Sequence, residues 1–284
     1  MLRKLGVLQN IERYAVIPNN IAIHRYTDGR ILSEQNLLPH CGSVYGSPYL
    51  LIHRADFHYV LASAAKQLGV KIQLNSAVKG VDFNKPGLEL DDGTVVQGDV
   101  VIAADGLRSQ CREALLGGKA PPIPKRTLVY RVTLDPAYLM KHEDLESLVD
   151  YPEIHYWIGA RSFFALNGTP SNFAILGPHS HVVFYPLRER EPCNLIIVAP
   201  DTTTEFENSS KANLSEIKEL TKNWEPRIKK MMGMVALSTK WRLQENMEME
   251  NWTSKQGTFT MLGDACHAII PYLYVGLIYK IKYD

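Results

Sequence analysis

The chain has 284 residues, with 31 Lys and Arg against 30 Asp and Glu, a formal net charge of +1. So even a balance excludes a general nucleic-acid binder, which would carry a basic excess or stripe. At 45% hydrophobic residues, there is enough apolar surface to exclude disorder throughout, and the length allows one large domain or two smaller ones.

Residues 2–14 place Leu2, Leu5, Leu8 and Ile11 three apart, which predicts a helix. The segment IAIHRYTDGRILSEQ reads as two strands joined at Asp28-Gly29. Arg54 to Leu68 is rich in Ala and Leu and is followed by Gly69, a helix with a C-terminal glycine. The stretches VKIQLNSAVKGVDF, LELDDG and TVVQGDVVIAADG alternate like strands, with a tight turn at Asp92-Gly93.

Val100 to Ala103 is a continuous apolar run, the pattern of a strand buried on both faces, and it ends at Asp105-Gly106. A helix is predicted within Leu107 to Leu116. Strand, tight turn and helix is the place where α/β folds bind ligands. The prolines at 121–124 mark a boundary. Beyond them Thr127–Leu134, His155–Ile158, His181–Leu187 and Asn194–Ala199 are strand-like, which predicts a mainly antiparallel sheet. Asp201 then falls in a loop. Leu214 to Met232 reads as one helix. Gly257 to Asp264 is a second apolar strand, ending in Gly263-Asp264. Two such strands far apart in sequence suggest one binding sheet interrupted by an inserted domain.

Cys41, Cys111, Cys193 and Cys266 are too widely spaced for a CxxC motif, and their low density predicts a reducing, cytoplasmic setting. A metal site from His179 and His181 lacks a third ligand in a plausible setting. No signal peptide and no membrane-spanning helix is expected. The final VGLIYKIKYD is apolar and basic but short for a peripheral membrane anchor.

Taken singly, Asp105-Gly106 is a common turn, and Asp264 can cap a helix as readily as bind a hydroxyl. In order and in context, three blocks become specific: YLLIHRADFHYVLASAA, DVVIAADGLRSQCREALLG with its Ser109 and Arg112, and LGDACHAIIPYL. With them the chain resembles a flavin-dependent aromatic hydroxylase, a class A FAD monooxygenase of the fungal salicylate-hydroxylase-like kind. The resemblance runs from residue 1 to about 273. It implies an α/β fold: a doubly wound, glutathione-reductase-like FAD-binding domain at 1–125 and 235–284. A mainly antiparallel β-sheet substrate domain at 126–234 is inserted into it.

The resemblance also implies roles. Arg54 would donate to the FAD pyrophosphate, or else cap its own helix through Asp56. Asp264 would accept from a ribityl hydroxyl, with Gly263 and Gly276 around the flavin. Asp105 and Gly106 would lie where the pyrophosphate and NAD(P)H approach. Arg131 and Tyr185 would anchor a small phenolic or salicylate-like substrate for hydroxylation with O2. The alternative reading for Arg131 and Tyr185 is plain sheet positions, and His267 reads as a loop residue. The family's GxGxxG turn does not occur in these 284 residues, so the first βαβ unit is expected to be absent. Between Gly159 and Gly177 the segment ARSFFALNGTPSNFAIL interrupts the family pattern and is expected to be a mobile excursion from the sheet. Leu277 stands where the family has a small residue. A rival reading is a non-catalytic remnant that binds FAD weakly or not at all. A halogenase is disfavoured because its lysine-centred motif is missing.

Overall fold

The computed structural model describes residues 1–158, 180–188, 192–202 and 209–270, and the backbone alone of 162–165, 173–176 and 209–210. The chain divides into two compact units, one of residues 1–71 and 127–242, the other of 72–126 and 243–284.

The larger unit is built on an eight-stranded sheet. Its order is Ser209–Lys211, Ser238–Glu245, Ile123–Leu134, Cys193–Pro200, His181–Tyr185, Ile154–Ile158, Asn20–Arg25 and Ile31–Asn36. Pairing is mainly antiparallel, and Asn20–Arg25 lies parallel on Ile154–Ile158. The period-two alternation of the sequence separates the two faces. Leu128, Tyr130, Val132, Leu195, Ile197, Val182 and Phe184 are buried together on one face. Four amphipathic helices contribute to that same core: Pro136–Leu139, Glu143–Asp150, Leu214–Thr221 and Pro226–Gly233. They do so through Leu139, Leu145, Leu148, Ile217, Ile228 and Met231. The residues between them in register, Arg131, Ile196, Asn194 and Tyr185, fall on the other face.

Residues 1–71 group with the large sheet through the parallel pairing of Asn20–Arg25 with Ile154–Ile158, which no local pattern announces. The single helix expected over Leu214 to Met232 is two helices. Pro226 starts the second because it lacks an N–H and cannot continue the first. The break turns Trp224 and Glu225 inward, where both are buried. The helix expected over residues 2–14 shortens to Leu8–Glu12.

In the smaller unit, Val101–Ala103 and Phe259–Met261 form a parallel pair in register, Val101 opposite Phe259 and Ala103 opposite Met261. Val78–Asp82, Gly87–Leu90 and Val95–Gln97 make a three-stranded antiparallel meander. The core collects Val101, Ala103, Cys111, Phe259, Met261, Ala265 and Cys266. The expected burial of Val100 to Ala103 on both faces does not hold: Ile102 is 59% exposed and Val100 50%. Among the described residues the parallel pair is packed on one face only, so alternate residues point away from that core.

The Ser162–Ala165 and Phe173–Leu176 strands pair with each other in a separate two-stranded sheet. Ile158 stands directly opposite His181 in the main sheet, so residues 159–180 leave and re-enter at adjacent positions. Gly276, Leu277 and His179 lie outside the described residues.

Candidate functional site

In the larger unit a cleft of about 230 Å3 opens on the sheet face away from the helices. Its polar lining is His53, Arg54, Arg131, Tyr185 and Asn194; Ile52, Leu187, Ile196 and Trp241 make its apolar walls. Register explains the grouping: Asn194 is directly opposite Tyr185, and Arg131 is opposite Ile196 on the neighbouring strand. Arg131 Nε donates to Asn194 Oδ1 at 3.3 Å, and Asn194 Nδ2 donates to the Tyr185 hydroxyl oxygen at 2.6 Å. Arg54 enters as the first residue of the Arg54–Gln67 helix. That helix is capped by His53, whose Nδ1 accepts from Ala55 N at 3.2 Å. The cap through Asp56 is not what closes this helix end. Sequence reasoning missed Asn194. The signal was present: it is the one polar residue in the apolar strand CNLIIVAP, on the same alternation as Tyr185.

In the smaller unit the parallel register brings the two aspartate turns out at the same strand ends, after Ala103 and Met261. Leu262 N donates to Ala103 O at 2.8 Å, which extends the ladder to the start of the second turn. Gly263 has φ +68° and ψ −141°, a conformation open essentially to glycine alone, and Gly106 has φ +81°. Both Asp105 and Asp264 are exposed. Asp105 Oδ2 accepts from Cys111 N at 3.2 Å, so this carboxylate also caps the following helix. Burial, with Asp105 nearby, pushes the Cys111 thiol up to about 12, so it is protonated at neutral pH. Asp264 opens the short Asp264–His267 helix, and its carbonyl accepts from Asn246 Nδ2 at 3.0 Å.

Ser109 and Arg112 have structural work beside these turns. Ser109 Oγ accepts from Arg112 N at 2.8 Å and caps the Gln110–Leu116 helix. The Arg112 guanidinium is buried and donates to Cys266 O at 3.2 Å and Met247 O at 2.7 Å. It ties the Gly263-Asp264 segment to the rest of the unit. Desolvation lowers its pKa. Asp201 is not a plain loop residue either: its nearly inaccessible carboxylate is paired with Arg242.

Paired parallel strands ending in glycine–aspartate turns, in a chain that also carries an arginine-lined cleft on a mainly antiparallel sheet, define an α/β protein. The chain belongs to the family described as the FAD binding domain, whose model matches residues 1–277. It is 32% identical over 281 residues to the FAD-dependent monooxygenase OpS4 of Beauveria bassiana, covering 97% of this chain and 61% of that protein. It is 28% identical over 280 residues to the 3-amino-4-hydroxybenzoate 2-monooxygenase PtmB3 of Streptomyces platensis, covering 97% and 63%. Among solved structures, a salicylate hydroxylase substrate complex superposes with a TM-score of 0.72 at 20% identity, covering 95% of this chain and 64% of that one. The chain thus spans about three fifths of the length of the curated relatives it matches. Among the described residues no helix is long and apolar enough to cross a membrane.

Proposed function

We propose that the protein is an FAD-dependent monooxygenase that hydroxylates a small phenolic or salicylate-like aromatic acid, using NAD(P)H and O2. The observation that carries this reading is the cleft: two arginines and a tyrosine hydroxyl set among apolar walls that include Trp241. A guanidinium holds a carboxylate or phenolate through charge-assisted hydrogen bonds, and the apolar walls accept a ring. The named activities of the relatives, on an aminohydroxybenzoate and on salicylate, belong to the same substrate class.

The residues present fit FAD in one respect the structure displays. Two exposed carboxylates leave the same end of two parallel strands, each beside a glycine at positive φ that lets the backbone turn sharply. In this reading Asp264 accepts from a ribityl hydroxyl, Asp105 and Gly106 flank the pyrophosphate, and Arg54 donates to a phosphate or to the substrate anion. FAD supplies the redox and oxygen chemistry when bound. Arg131 and Tyr185 hold the ring by its anionic oxygen, and Ile52, Leu187 and Ile196 exclude water around it. Holding the substrate as phenolate leaves the ring electron-rich, which favours its attack on an electrophilic oxygen.

Purified protein should be yellow, with flavin released on denaturation. Asp264→Ala removes one charge-assisted hydrogen bond, about 1.5–3 kcal/mol, and should weaken FAD binding about 10- to 150-fold. Asp99→Ala, at another exposed carboxylate of the same unit, should leave binding unchanged. A colourless protein that takes up no added FAD would overturn the reading in favour of a non-catalytic remnant. Equal retention by both variants would reduce Asp264 to a helix-start residue.

A further inference from the structure

The cleft contains one polar side chain that no ligand needs to touch for it to matter. Asn194 is 3% exposed, on a central strand of the sheet, with both ends of its amide engaged. The chemistry of its neighbours fixes which end faces which. Arginine has only donors, so the amide oxygen must face Arg131. The amide nitrogen must therefore face Tyr185. An amide NH2 can only donate, so the Tyr185 oxygen is the acceptor in that contact and its own O–H hydrogen points away from Asn194. The result is a one-way chain, guanidinium to amide oxygen, amide nitrogen to phenol oxygen, with no step that can be reversed without leaving a buried group unsatisfied.

We propose that Asn194 is a positioning residue that sets the donor polarity of this cleft. It turns the Tyr185 hydroxyl into a donor and holds Arg131 by Nε, which leaves the terminal guanidinium nitrogens to a ligand. The cleft thereby selects an aromatic ligand with a negatively charged oxygen over its neutral counterpart of the same shape. This rests on the reading of the cleft as an aromatic-acid site. It adds that the preference for the anion is enforced by a residue outside the pair that binds it. An aspartate at 194 is nearly isosteric but has no donor. It would accept from Arg131 and from Tyr185 together, which reverses the tyrosine and neutralises the arginine.

The experiment is calorimetric titration of the purified chain with benzoate and with benzyl alcohol, as anion and neutral partner of one shape. The wild type is expected to bind benzoate about tenfold or more tighter than benzyl alcohol. Tyr185→Phe should weaken benzoate about fivefold, the equivalent of one ordinary hydrogen bond. Asn194→Asp should abolish the preference for benzoate and leave benzyl alcohol within about twofold. The deciding measurement is the double-mutant cycle. In the Asn194→Asp background Tyr185→Phe should cost nothing further, because the hydroxyl already points to Asp. Simple charge repulsion by Asp would leave the Tyr185→Phe effect at full size, and that result overturns the proposal. Asn194→Leu, neutral and of similar volume, serves if the Asp variant does not fold. There too the Tyr185→Phe effect must shrink, and an undiminished effect overturns the proposal. The two ideas separate cleanly. A wild type that shows no preference for benzoate sinks the aromatic-acid reading and this inference with it. A clear preference with additive mutations leaves that reading standing and removes Asn194 from it.

Discussion

The two units hold their candidate site residues in opposite ways. In the larger, the candidate groups are side chains, and a wide sheet holds them: Arg131, Asn194 and Tyr185 sit on three adjacent strands above a core that includes Trp157 and Phe184, both inaccessible to solvent. In the smaller, the working geometry is in the backbone, at turns where Gly106 and Gly263 reach conformations other residues resist. The first arrangement draws precision from packing, and the second from the choice of glycine. They should therefore fail in different ways.

The largest expected effect is in the packed core. Phe184→Ala should cost about 3–5 kcal/mol of stability in urea denaturation. Its counterpart on the exposed face of the smaller unit, Ile102→Ala, should change stability by less than about 0.5 kcal/mol, because Ile102 is already in water. Equal effects would erase the contrast.

Next comes Arg112. Replacing it with Leu leaves the carbonyls of Cys266 and Met247 without their donor, at about 1–3 kcal/mol each. The smaller unit should melt earlier, read by thermal denaturation, while the benzoate affinity of the cleft is retained below that transition.

Acid should act on the larger unit through a buried histidine pair. His24 Nδ1 lies 3.1 Å from Gly29 O, and its Nε2 lies 3.0 Å from His155 Nδ1. The first contact makes His24 a donor there, so His155 donates to His24 and both rings are neutral. Glu153 is 3.9 Å from His155 Nε2, beyond hydrogen-bonding distance, and does not hold the ring charged. Burial first, then the neighbouring His24 and Arg227, push His155 down to about 3 from 6.5. Burial lowers His24 in the same direction, against the opposing pull of the Gly29 carbonyl, Glu225 and Glu34. The unfolded chain therefore binds more protons between about pH 6.5 and 3, and stability falls as pH drops through that window. The slope for one such group is at most about 1.4 kcal/mol per pH unit. His155→Asn, which keeps a donor toward His24, should flatten the profile. An unchanged profile would show that other groups carry the acid sensitivity.

A smaller effect is expected at Gly263. Gly263→Ala forces a side chain into φ +68°, ψ −141° and should cost about 1–3 kcal/mol, read in the same melting transition that Arg112→Leu shifts.

Deleting residues 160–176 should have the smallest effect. The strands on either side already meet at Ile158 and His181, and shortening the connection should gain about 1 kcal/mol or leave stability unchanged. A large loss would place that segment in the core.

Much of the sheet was legible in the sequence because period two is a local signal: the alternation in Thr127–Leu134 and Asn194–Ala199 matches the observed strands closely. Arg131 and Tyr185 came from the family resemblance alone, and their common face rests on the strand register, which alternation within one strand does not give. Asn194 is legible too, as the lone polar residue of an apolar strand, but an uncharged amide announces no chemistry by itself. What was not legible is non-local. The pairing of Asn20–Arg25 with Ile154–Ile158 joins segments more than a hundred residues apart, and His24 meets His155 only through it. Pro226 was a visible stop signal that a long apolar periodicity masked. The matching register of the two aspartate turns followed from the order of strands, but the one-sided burial of Val101–Ala103 did not. An apolar run reads the same whether one face or both are covered.

That one-sided strand has a practical consequence for handling the protein. Val101–Ala103 carries a strand neighbour on one edge only among the described residues, and Val100, Ile102 and Leu262 lie exposed around it. A short apolar edge of this kind is a template for intermolecular β-pairing. Concentrated solutions should cloud through this strand edge, and Ile102→Lys, a charge placed at an exposed position, should raise the solubility limit without touching the cleft.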